Sequence, residues 1–476
     1  MQYLTWAYII LIYAFLPLYM RYGYFELGEY KSLAYLWISG AAAIIMLIAA
    51  TVRGDVKRAI TKDRADIRRY AVLGFLFTNL LTWLFSIDKK VAFLGLSGWR
   101  TGFLTILLMV FFLLYFSKYV KPQGLLLAAM LVTALLEFVL GILGRFEVHP
   151  IEIFGQDTSF LATIGNINWY AGYLSIFVPI GIGFTVMQKK YSRGFFLGVA
   201  YTFPGLMALL TQGSDSAALI LAGTYGALLL FGLKDRESFR RFLMQFAILG
   251  ITMELTGILT RLLDEWYALN DSLMTVICNR HVGLIIIAAA LLFYRLSRLF
   301  EEISMPWKEK TYEIAAVTVL LAAVIAGAVF FVKSFDYSFG NNRGLIWSMS
   351  LDIFKSMSPW QKLVGVGQDC FYDFAYTDPV MADSLLNIFE GGQLTNAHCE
   401  VLTILVERGL LGVISYLFLF GVALRHFWQN KRERSILLFA LPVIAYFCNG
   451  LVSFSQVMST PYFFMMLGMG MSLSNS

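Results

Sequence analysis

The stretch from Glu313 to Val332, EIAAVTVLLAAVIAGAVFFV, indicates the fold class of this chain. It carries a single charged residue, Glu313, at its first position. An α-helix rises about 1.5 Å per residue, so a run of ~20 apolar residues matches the ~30 Å hydrocarbon core of a bilayer. This stretch therefore predicts a transmembrane helix.

The composition of the whole chain agrees with that prediction. The 476 residues are 59% hydrophobic and 14% charged, with a mean hydropathy of +0.69. Soluble domains have about 25% charged residues, so this composition excludes a soluble globular enzyme, and it equally excludes a disordered, collagen-like or coiled-coil chain. The net charge of +6 is dispersed in short clusters, which excludes a nucleic-acid footprint. The four cysteines lack CxxC spacing, so neither a zinc site nor a disulfide scaffold is predicted.

Apolar windows of ~17–22 residues recur about fourteen times along the chain. We predict an all-α, polytopic integral membrane protein of about 14 (12–14) transmembrane helices. Residues 1–333 would hold helices 1–11, residues 334–398 one long extracytoplasmic loop with short helices, and residues 399–476 helices 12–14. The windows near 242–260 and 281–299 are the weakest, because Glu254, Arg261 and Arg280 interrupt them.

Lysine and arginine indicate the orientation of these helices. Basic residues concentrate in alternate loops, at 53–69, 118–121, 189–193, 234–241, 295–310 and 425–434. Basic loops remain in the cytoplasm. We therefore predict a multi-pass protein of the cytoplasmic membrane with both termini inside and the intervening loops, including 334–398, outside.

The long segment 334–398 is the first candidate for function, because long loops of compact proteins tend to be functional. Apolar spacing predicts a helix from Arg343 to Lys355, and the stretch 363–367 (LVGVG) predicts a turn. Two cysteines on the predicted outer side, Cys370 and Cys399, could pair or remain free thiols.

Three charged or titratable residues lie near the predicted outer face in apolar surroundings: Arg100, Arg343 and His398. Such residues are costly unless paired, which makes them functional candidates. Plainer roles are open for each: Arg100 could snorkel to the interface, Arg343 could pair with Asp336 or Asp352, and His398 could be an ordinary interfacial polar residue.

The environment of His398 suits a general base. Asn396 is a candidate N-cap, which would put His398 in the first turn of the next helix, where the helix dipole disfavours imidazolium. A neutral histidine is what a general base requires. Helical spacing would place Leu402, Leu405, Gly409 and Gly412 on the face of His398, with the two glycines allowing a neighbouring helix to approach. Glu407 would lie on the opposite face, which excludes a His–Glu dyad within this helix.

The order of these elements resembles the O-antigen ligase and O-antigen polymerase superfamily of bacterial membrane glycosyltransferases. Four segments carry the resemblance, over roughly residues 84–180 and 340–415: Phe85-Ser86 to Gly98-Trp99-Arg100-Thr101-Gly102, Gly165-Asn166-Ile167-Asn168-Trp169-Tyr170-Ala171, Arg343-Gly344-Leu345-Ile346-Trp347 with Pro359 and Gly365-Val366-Gly367, and Asn396-Ala397-His398 followed by Leu402, Leu405, Glu407, Gly409, Leu410, Leu411 and Gly412.

The resemblance implies an inverting glycosyltransferase without metal or cofactor, whose active site faces the extracytoplasmic side. Its donor would be a glycan on a polyprenyl (undecaprenyl) diphosphate, and its acceptor a hydroxyl of a glycan, lipid or protein. His398 would be the general base. Arg343 and Arg100, with Arg145 as a further candidate, would hold the diphosphate leaving group, since guanidinium binds phosphate bidentately. The other substrate-binding residues would be Asn166, Asn168 and Trp347.

Other functions are open at this point. A repeat-unit polymerase of the same superfamily would differ only in its acceptor. A flippase for lipid-linked oligosaccharides would place polar residues at the membrane midplane and have pseudo-symmetric halves. A non-enzymatic membrane scaffold is a third alternative. The shape, elongation, division and sporulation glycosyltransferases would instead use an outer-loop aspartate, to be sought between Asp336 and Asp383.

Overall fold

The computed structural model describes residues 2–54, 66–120, 124–232, 234–267, 269, 272–388 and 393–473. The protein is all-helical, with 77% of its residues in helices and 1% in strands, which confirms the predicted fold class in that coarse form. The part of the first basic loop at 55–65 lies outside the described residues.

The described chain contains twenty α-helices, two short 3₁₀ helices (Asp264–Trp266 and Arg434–Ile436) and one small hairpin. The helices are α1 (Gln2–Leu18, with a π-helical turn at Leu11–Phe15), α2 (Leu27–Val52), α3 (Ile67–Leu84), α4 (Lys89–Leu94), α5 (Phe103–Tyr119), α6 (Gly124–Arg145), α7 (Ile167–Met187), α8 (Arg193–Thr211), α9 (Ser216–Gly232), α10 (Arg236–Leu262), α11 (Leu273–Asn279), α12 (Val282–Glu302), α13 (Glu309–Ser334), α14 (Phe339–Ser356), α15 (Pro359–Val364), α16 (Phe371–Ala375), α17 (Pro379–Ile388), α18 (Glu400–Gln429), α19 (Leu437–Gly450) and α20 (Thr460–Ser472). The antiparallel strands β1 (Phe160–Leu161) and β2 (Gly165–Asn166) form the hairpin, with Phe160 opposite Asn166.

In the part of the chain that the structure describes, seven helices are long and apolar enough to cross a membrane: α2, α7, α8, α10, α12, α13 and α18. Helix α13 contains the stretch 313–332. Four shorter apolar stretches accompany them, at Gln2–Leu18, Phe103–Tyr119, Ser216–Gly232 and Arg434–Gly450. The protein thus has the helices of a membrane protein, while the expected number of about fourteen spans remains a prediction.

The two windows that were weakest in the sequence, α10 and α12, are both among the seven. Two of the three interrupting charges, Glu254 and Arg261, have partners in the structure. Glu254 of α10 accepts a hydrogen bond from the backbone N–H of Leu284 at 2.9 Å, and its Oε2 lies 3.0 Å from Nδ1 of His281. Arg261 donates to the carbonyl of Asn279 at 3.1 Å. Pairing lowers the cost of charge in an apolar segment, which is why these helices tolerate it.

The chain divides into two compact units. Unit 1 consists of Met1–Met130, Asp336–His426 and Gly450–Ser472, and unit 2 consists of Leu131–Phe335, Phe427–Asn449 and the C-terminal residues. Each unit is therefore assembled from segments that are distant in the sequence.

Unit 2 is packed around α7, which is almost wholly buried. Glycines bring its helices close together. A Cβ at Gly183 would lie 3.0 Å from the carbonyl oxygen of Leu437, and a Cβ at Gly250 of α10 would lie 2.7 Å from the carbonyl oxygen of Gly283 of α12. Small residues at helix contacts are the usual means by which membrane helices pack, because apolar side chains gain little by leaving lipid for one another.

Unit 1 contains the segment between α13 and α18, and its four short helices α14–α17 share one apolar core. The core residues come from α4, α14, α16, α17, α18 and the intervening turns: Ala92, Ile346, Met349, Ile353, Met357, Val366, Cys370, Phe371, Ala375, Leu385, Leu394, Ala397 and Val406. The predicted helix Arg343–Lys355 is confirmed within α14, whose first residues Gly340, Asn341 and Asn342 are left-handed. The predicted turn is confirmed at Gly365 and Gly367, both of positive φ.

Helix α18 is interrupted at Gly409, whose φ and ψ are 63° and −168°. The break frees two carbonyls from the helical ladder, and the turn after α15 uses them: Val366 N–H donates to Val406 O at 3.3 Å and Gly367 N–H to Glu407 O at 2.9 Å. The prediction that Gly409 and Gly412 share a face with His398 along one regular helix is therefore wrong. Gly409 instead admits the backbone of the 363–365 turn.

Replacing Gly409 by alanine should destabilise the protein by about 2 kcal/mol or more. The backbone region that Gly409 occupies is essentially restricted to glycine and costs other residues roughly 1–3 kcal/mol, and the added Cβ would lie 2.5 Å from the Leu363 carbonyl. The unfolding temperature of the purified protein in detergent measures the effect. Gly421→Ala is the matched control, because a Cβ at Gly421 of the same helix meets nothing within 4 Å; an equal loss in both variants would contradict this role of Gly409.

Candidate active site

His398 lies in a turn that precedes α18. Its φ is 46°, so the residue is left-handed, and α18 begins two residues later at Glu400. Asn396 Oδ1 accepts the backbone N–H of His398 itself at 2.9 Å, which closes a local turn, and the carbonyl of Cys399 accepts the Thr403 N–H at 2.9 Å. The prediction that Asn396 caps the helix and puts His398 in its first turn is therefore wrong, because a short Asx side chain can bond its neighbouring backbone instead of a helix end.

The imidazole of His398 is held against an aromatic ring and near a guanidinium. It packs edge-to-face on Phe454, with ring centroids 5.2 Å apart. Burial, followed by the positive charge of Arg343, lowers the pKa of His398 to about 4. The side chain is thus neutral at neutral pH, which is the protonation state expected from the sequence, and burial and the charge of Arg343 account for it.

Arg343 begins the regular part of α14 and is buried. Its Nε donates to the carbonyl of Val452 at 3.0 Å and its Nη1 to the carbonyl of Gly340 at 2.8 Å. Of the two acids that the sequence offered as partners, Asp352 pairs with Lys355 and Asp336 accepts hydrogen bonds from Ser338. The positive charge of Arg343 is close enough to His398 to lower the pKa of its imidazole.

One segment, 452–455, contacts both of these residues and is here called the 452–455 wall. Val452 accepts the hydrogen bond from Arg343, Phe454 packs on His398, and Ser455 donates its hydroxyl to Glu400 Oε1 at 2.6 Å. The sequence reasoning missed this wall, because residues 454–458 lie between two apolar windows and include no charged side chain.

The segment 95–102 forms the opposite border. Trp99 contacts Phe454 edge-to-face, with centroids 5.1 Å apart. Arg100, itself left-handed at φ 51°, forms an ion pair with Glu29 of α2 through Nη2, and its Nε donates to both carboxylate oxygens at 3.1 Å. Its charge is compensated by a partner that the sequence did not indicate.

Asp369 fixes that segment in place. Its Oδ2 accepts the backbone N–H groups of Leu96 at 3.0 Å and Thr101 at 2.7 Å, and its Oδ1 accepts the Thr101 hydroxyl. Burial raises the pKa of Asp369, against the effect of these hydrogen bonds. This aspartate lies in the range where an alternative catalytic aspartate was to be sought, and its hydrogen bonds go to backbone and hydroxyl groups of the 95–102 segment.

Trp347 packs against the apolar core of unit 1 and lies near Phe339, with ring centroids 6.1 Å apart. Cys370 and Cys399, for which a disulfide was open, are both buried free thiols.

Three of the sequence-derived candidates belong to unit 2. Arg145 is buried, and it donates to the carbonyls of Thr158 at 2.7 Å and Gln212 at 2.5 Å. Asn166 caps α7 by accepting the backbone N–H of Asn168 at 2.9 Å. These contacts tie the 146–166 segment to its own unit.

Two small cavities adjoin the wall within unit 1, each of about 20 Å³, enough for about one water molecule. The first is lined by Leu96, Trp99, Thr101, Asp369, Thr395, Asn396, Glu400, Thr403, Ile404, Glu407, Arg408, Phe454 and Ser455. The second shares Thr101, Glu400, Arg408 and Ser455 with it and continues to Phe75, Thr105, Ile106, Met109, Tyr416, Thr460 and Phe464.

The sequence reasoning did not select the charged residues that line these cavities as functional candidates. Glu400, Glu407 and Arg408 are all buried. They lie in residues 399–424, the apolar window from which the first transmembrane helix after the long loop was predicted. A sequence signal did exist, because ionisable residues within an apolar span are functional candidates by default. The sequence reasoning considered Glu407 only as a partner for His398.

Comparison of the sequence with protein-family models and with curated proteins finds no match.

Proposed function

We propose that this protein is a membrane glycosyltransferase that moves a glycan from a polyprenyl diphosphate to an acceptor hydroxyl at the outer face of the cytoplasmic membrane. The observation that carries the proposal is the neutral imidazole of His398 near the buried guanidinium of Arg343, with both held by the 452–455 wall. A neutral base beside a fixed cation suits a reaction in which one group loses a proton and another leaves as an anion.

The reaction follows from these two groups. His398 accepts the proton of the acceptor hydroxyl while the hydroxyl oxygen attacks the anomeric carbon from the face opposite the diphosphate. The bond between that carbon and the diphosphate oxygen breaks, and its electron pair leaves with the polyprenyl diphosphate. Arg343 stabilises the growing negative charge, and the anomeric configuration is inverted. The imidazolium then returns its proton to water.

Backbone strain at this place supports a functional site. His398, Arg100 and Asp369 all have left-handed backbones, with φ of 46°, 51° and 57°. Left-handed non-glycine residues cost of order 1–3 kcal/mol and cluster at functional sites. The proposal assigns the diphosphate to Arg343 because this guanidinium lies near the proposed base, whereas Arg100 forms an ion pair with Glu29 of α2.

The test uses the full-length protein in detergent with a synthetic, fluorescently labelled oligosaccharide on a polyprenyl diphosphate. We expect release of free polyprenyl diphosphate and transfer of the label, at an unchanged rate after exhaustive chelation. A labelled glycan that grows longer while it stays attached to the lipid would indicate a polymerase. A labelled glycan on a separate acceptor would indicate a ligase. An intact donor after incubation with lipid-linked, free-glycan, lipid and peptide acceptors would refute the proposal. Loss on chelation that divalent ions restore would refute its metal-free part.

A further inference from the structure

The two cavities beside the 452–455 wall contain an unusual combination of buried charge. Arg408 lines both, and only 6% of its surface is exposed. Among the described residues, its Nε has no hydrogen-bond partner. A buried charged donor without a partner is unfavourable, so this group calls for an acceptor from a water molecule or a ligand.

Glu400, whose side-chain oxygens can accept hydrogen bonds, lines the same two cavities. The carboxylate of Glu400 is buried, accepts the hydroxyl of Ser455 at 2.6 Å, and abuts Gly450, where a Cβ would lie 2.7 Å from Oε2. Glu400 is therefore held in place from the wall side. A hydroxyl group between Arg408 and Glu400 could accept a hydrogen bond from the one and donate to the other, as a water molecule does.

The lining of the first cavity disfavours anions. It includes three acidic side chains, from Asp369, Glu400 and Glu407, and one guanidinium, from Arg408. A phosphate or carboxylate group is larger than this water-sized space, and it would find one cationic partner among three acidic side chains. The cavity therefore favours uncharged hydroxyl groups over the diphosphate of the donor.

Its size and border fit a sugar. Each cavity holds about one water molecule, and a sugar hydroxyl is of similar size, so a hydroxyl can replace the water while the sugar ring stays outside. The aromatic side chains of Trp99 and Phe454 line the first cavity. Phe454 is also the ring on which His398 packs, which places the cavity next to the proposed base.

We propose that this cavity is the acceptor subsite, and that Glu400 and Arg408 bind the hydroxyl groups of an uncharged sugar and discriminate against anionic acceptors. The assignment of this cavity to the acceptor rests on the proposed function, whereas the binding of an uncharged sugar can be measured without any transfer.

The experiment overlays the labelled full-length protein in detergent on an array of neutral, uronic-acid and phosphorylated oligosaccharides. We expect signal on uncharged glycans only, reduced at least tenfold by Glu400→Gln and by Arg408→Gln. Asp352→Asn, an equivalent change at an exposed carboxylate, should leave the signal unchanged. Glu400→Gln preserves side-chain shape, and a monodisperse elution profile establishes that each variant is folded.

Three results would overturn the inference: no signal on neutral glycans, equal or stronger signal on anionic ones, or wild-type signal from folded Glu400→Gln and Arg408→Gln. Failure of the proposed function is distinguishable. Neutral-glycan binding that depends on Glu400, in a protein that leaves the donor intact, would refute transfer and retain the subsite. Transfer in which Glu400→Gln leaves the acceptor KM unchanged would refute the subsite and retain transfer.

Discussion

His398→Asn should reduce glycan transfer by about 10²–10⁴-fold, the range over which a positioned general base contributes to a rate. Asparagine is the informative replacement, because it tolerates the left-handed backbone of His398, at φ 46°, better than alanine does. The variant keeps a polar side chain in the turn but cannot take up the proton of the substrate hydroxyl. The measurement is the initial rate of label transfer from the polyprenyl diphosphate donor at saturating substrate.

His281→Asn is the matched control. His281 is also a left-handed histidine, at φ 57°, and it lies in unit 2, beside Glu254. Its replacement should leave transfer within about twofold of the wild-type rate. If His398→Asn retained more than a tenth of wild-type activity in a folded protein, His398 would not be the base.

Arg343→Gln should shift the pH dependence of transfer as well as slow it. A general base works only when unprotonated, so kcat/KM rises as pH increases through the pKa of His398 in the free enzyme. That pKa is about 4, so the acidic limb of the wild-type profile should lie near pH 4. Arg343 is one of the causes of the low pKa, and loss of its positive charge makes protonation of the imidazole easier. The limb should therefore move to higher pH, up to at most about 6.5, the ordinary value for histidine.

Arg343→Lys separates this electrostatic effect from loss of the leaving-group contact. Lysine retains the positive charge, so the acidic limb should remain near that of the wild type, but lysine lacks the bidentate fork, so the rate should still fall. The full pH profile of kcat/KM for the three proteins measures both effects. An acidic limb that coincides in wild type and Arg343→Gln would mean that Arg343 does not act on the titrating group.

The same pKa affects folding stability. Folding disfavours the protonated form of His398, while the unfolded chain takes up the proton near pH 6.5. Below that pH the unfolded state therefore binds more protons than the folded state, and the contribution of His398 to stability is lost as pH falls from about 6.5 to about 4.

The sequence anticipated helices well where length and hydropathy decide them. The stretch 313–332 lies within α13, and the α14 helix from Arg343 follows from its apolar spacing. The helix at 399–424 was expected to be continuous, but Gly409 breaks it. Helical periodicity is a local property, and the break depends on a turn more than forty residues earlier, at Val366 and Gly367, whose N–H groups take up the freed carbonyls.

The same contrast between local signals and long-range contacts applies to the residues of the candidate site. His398 and Arg343 could be selected from the sequence because they are ionisable groups at the ends of apolar segments. Their partners could not be: Val452, Phe454 and Glu29 lie tens to hundreds of residues away, and nothing in their own neighbourhood marks them. Arg100 shows the consequence, since an arginine selected for its charge is already neutralised by Glu29.

Composition and apolar run length alone determined that this chain is an all-helical protein with helices fit for a membrane, because the transfer of side chains out of water is summed residue by residue along a segment. Which charges remain available was decided only by the tertiary structure. Burial, pairing and the low pKa of an imidazole depend on distances between groups that are remote in the sequence, and those distances exist only once unit 1 has brought the 343, 398 and 452–455 segments together.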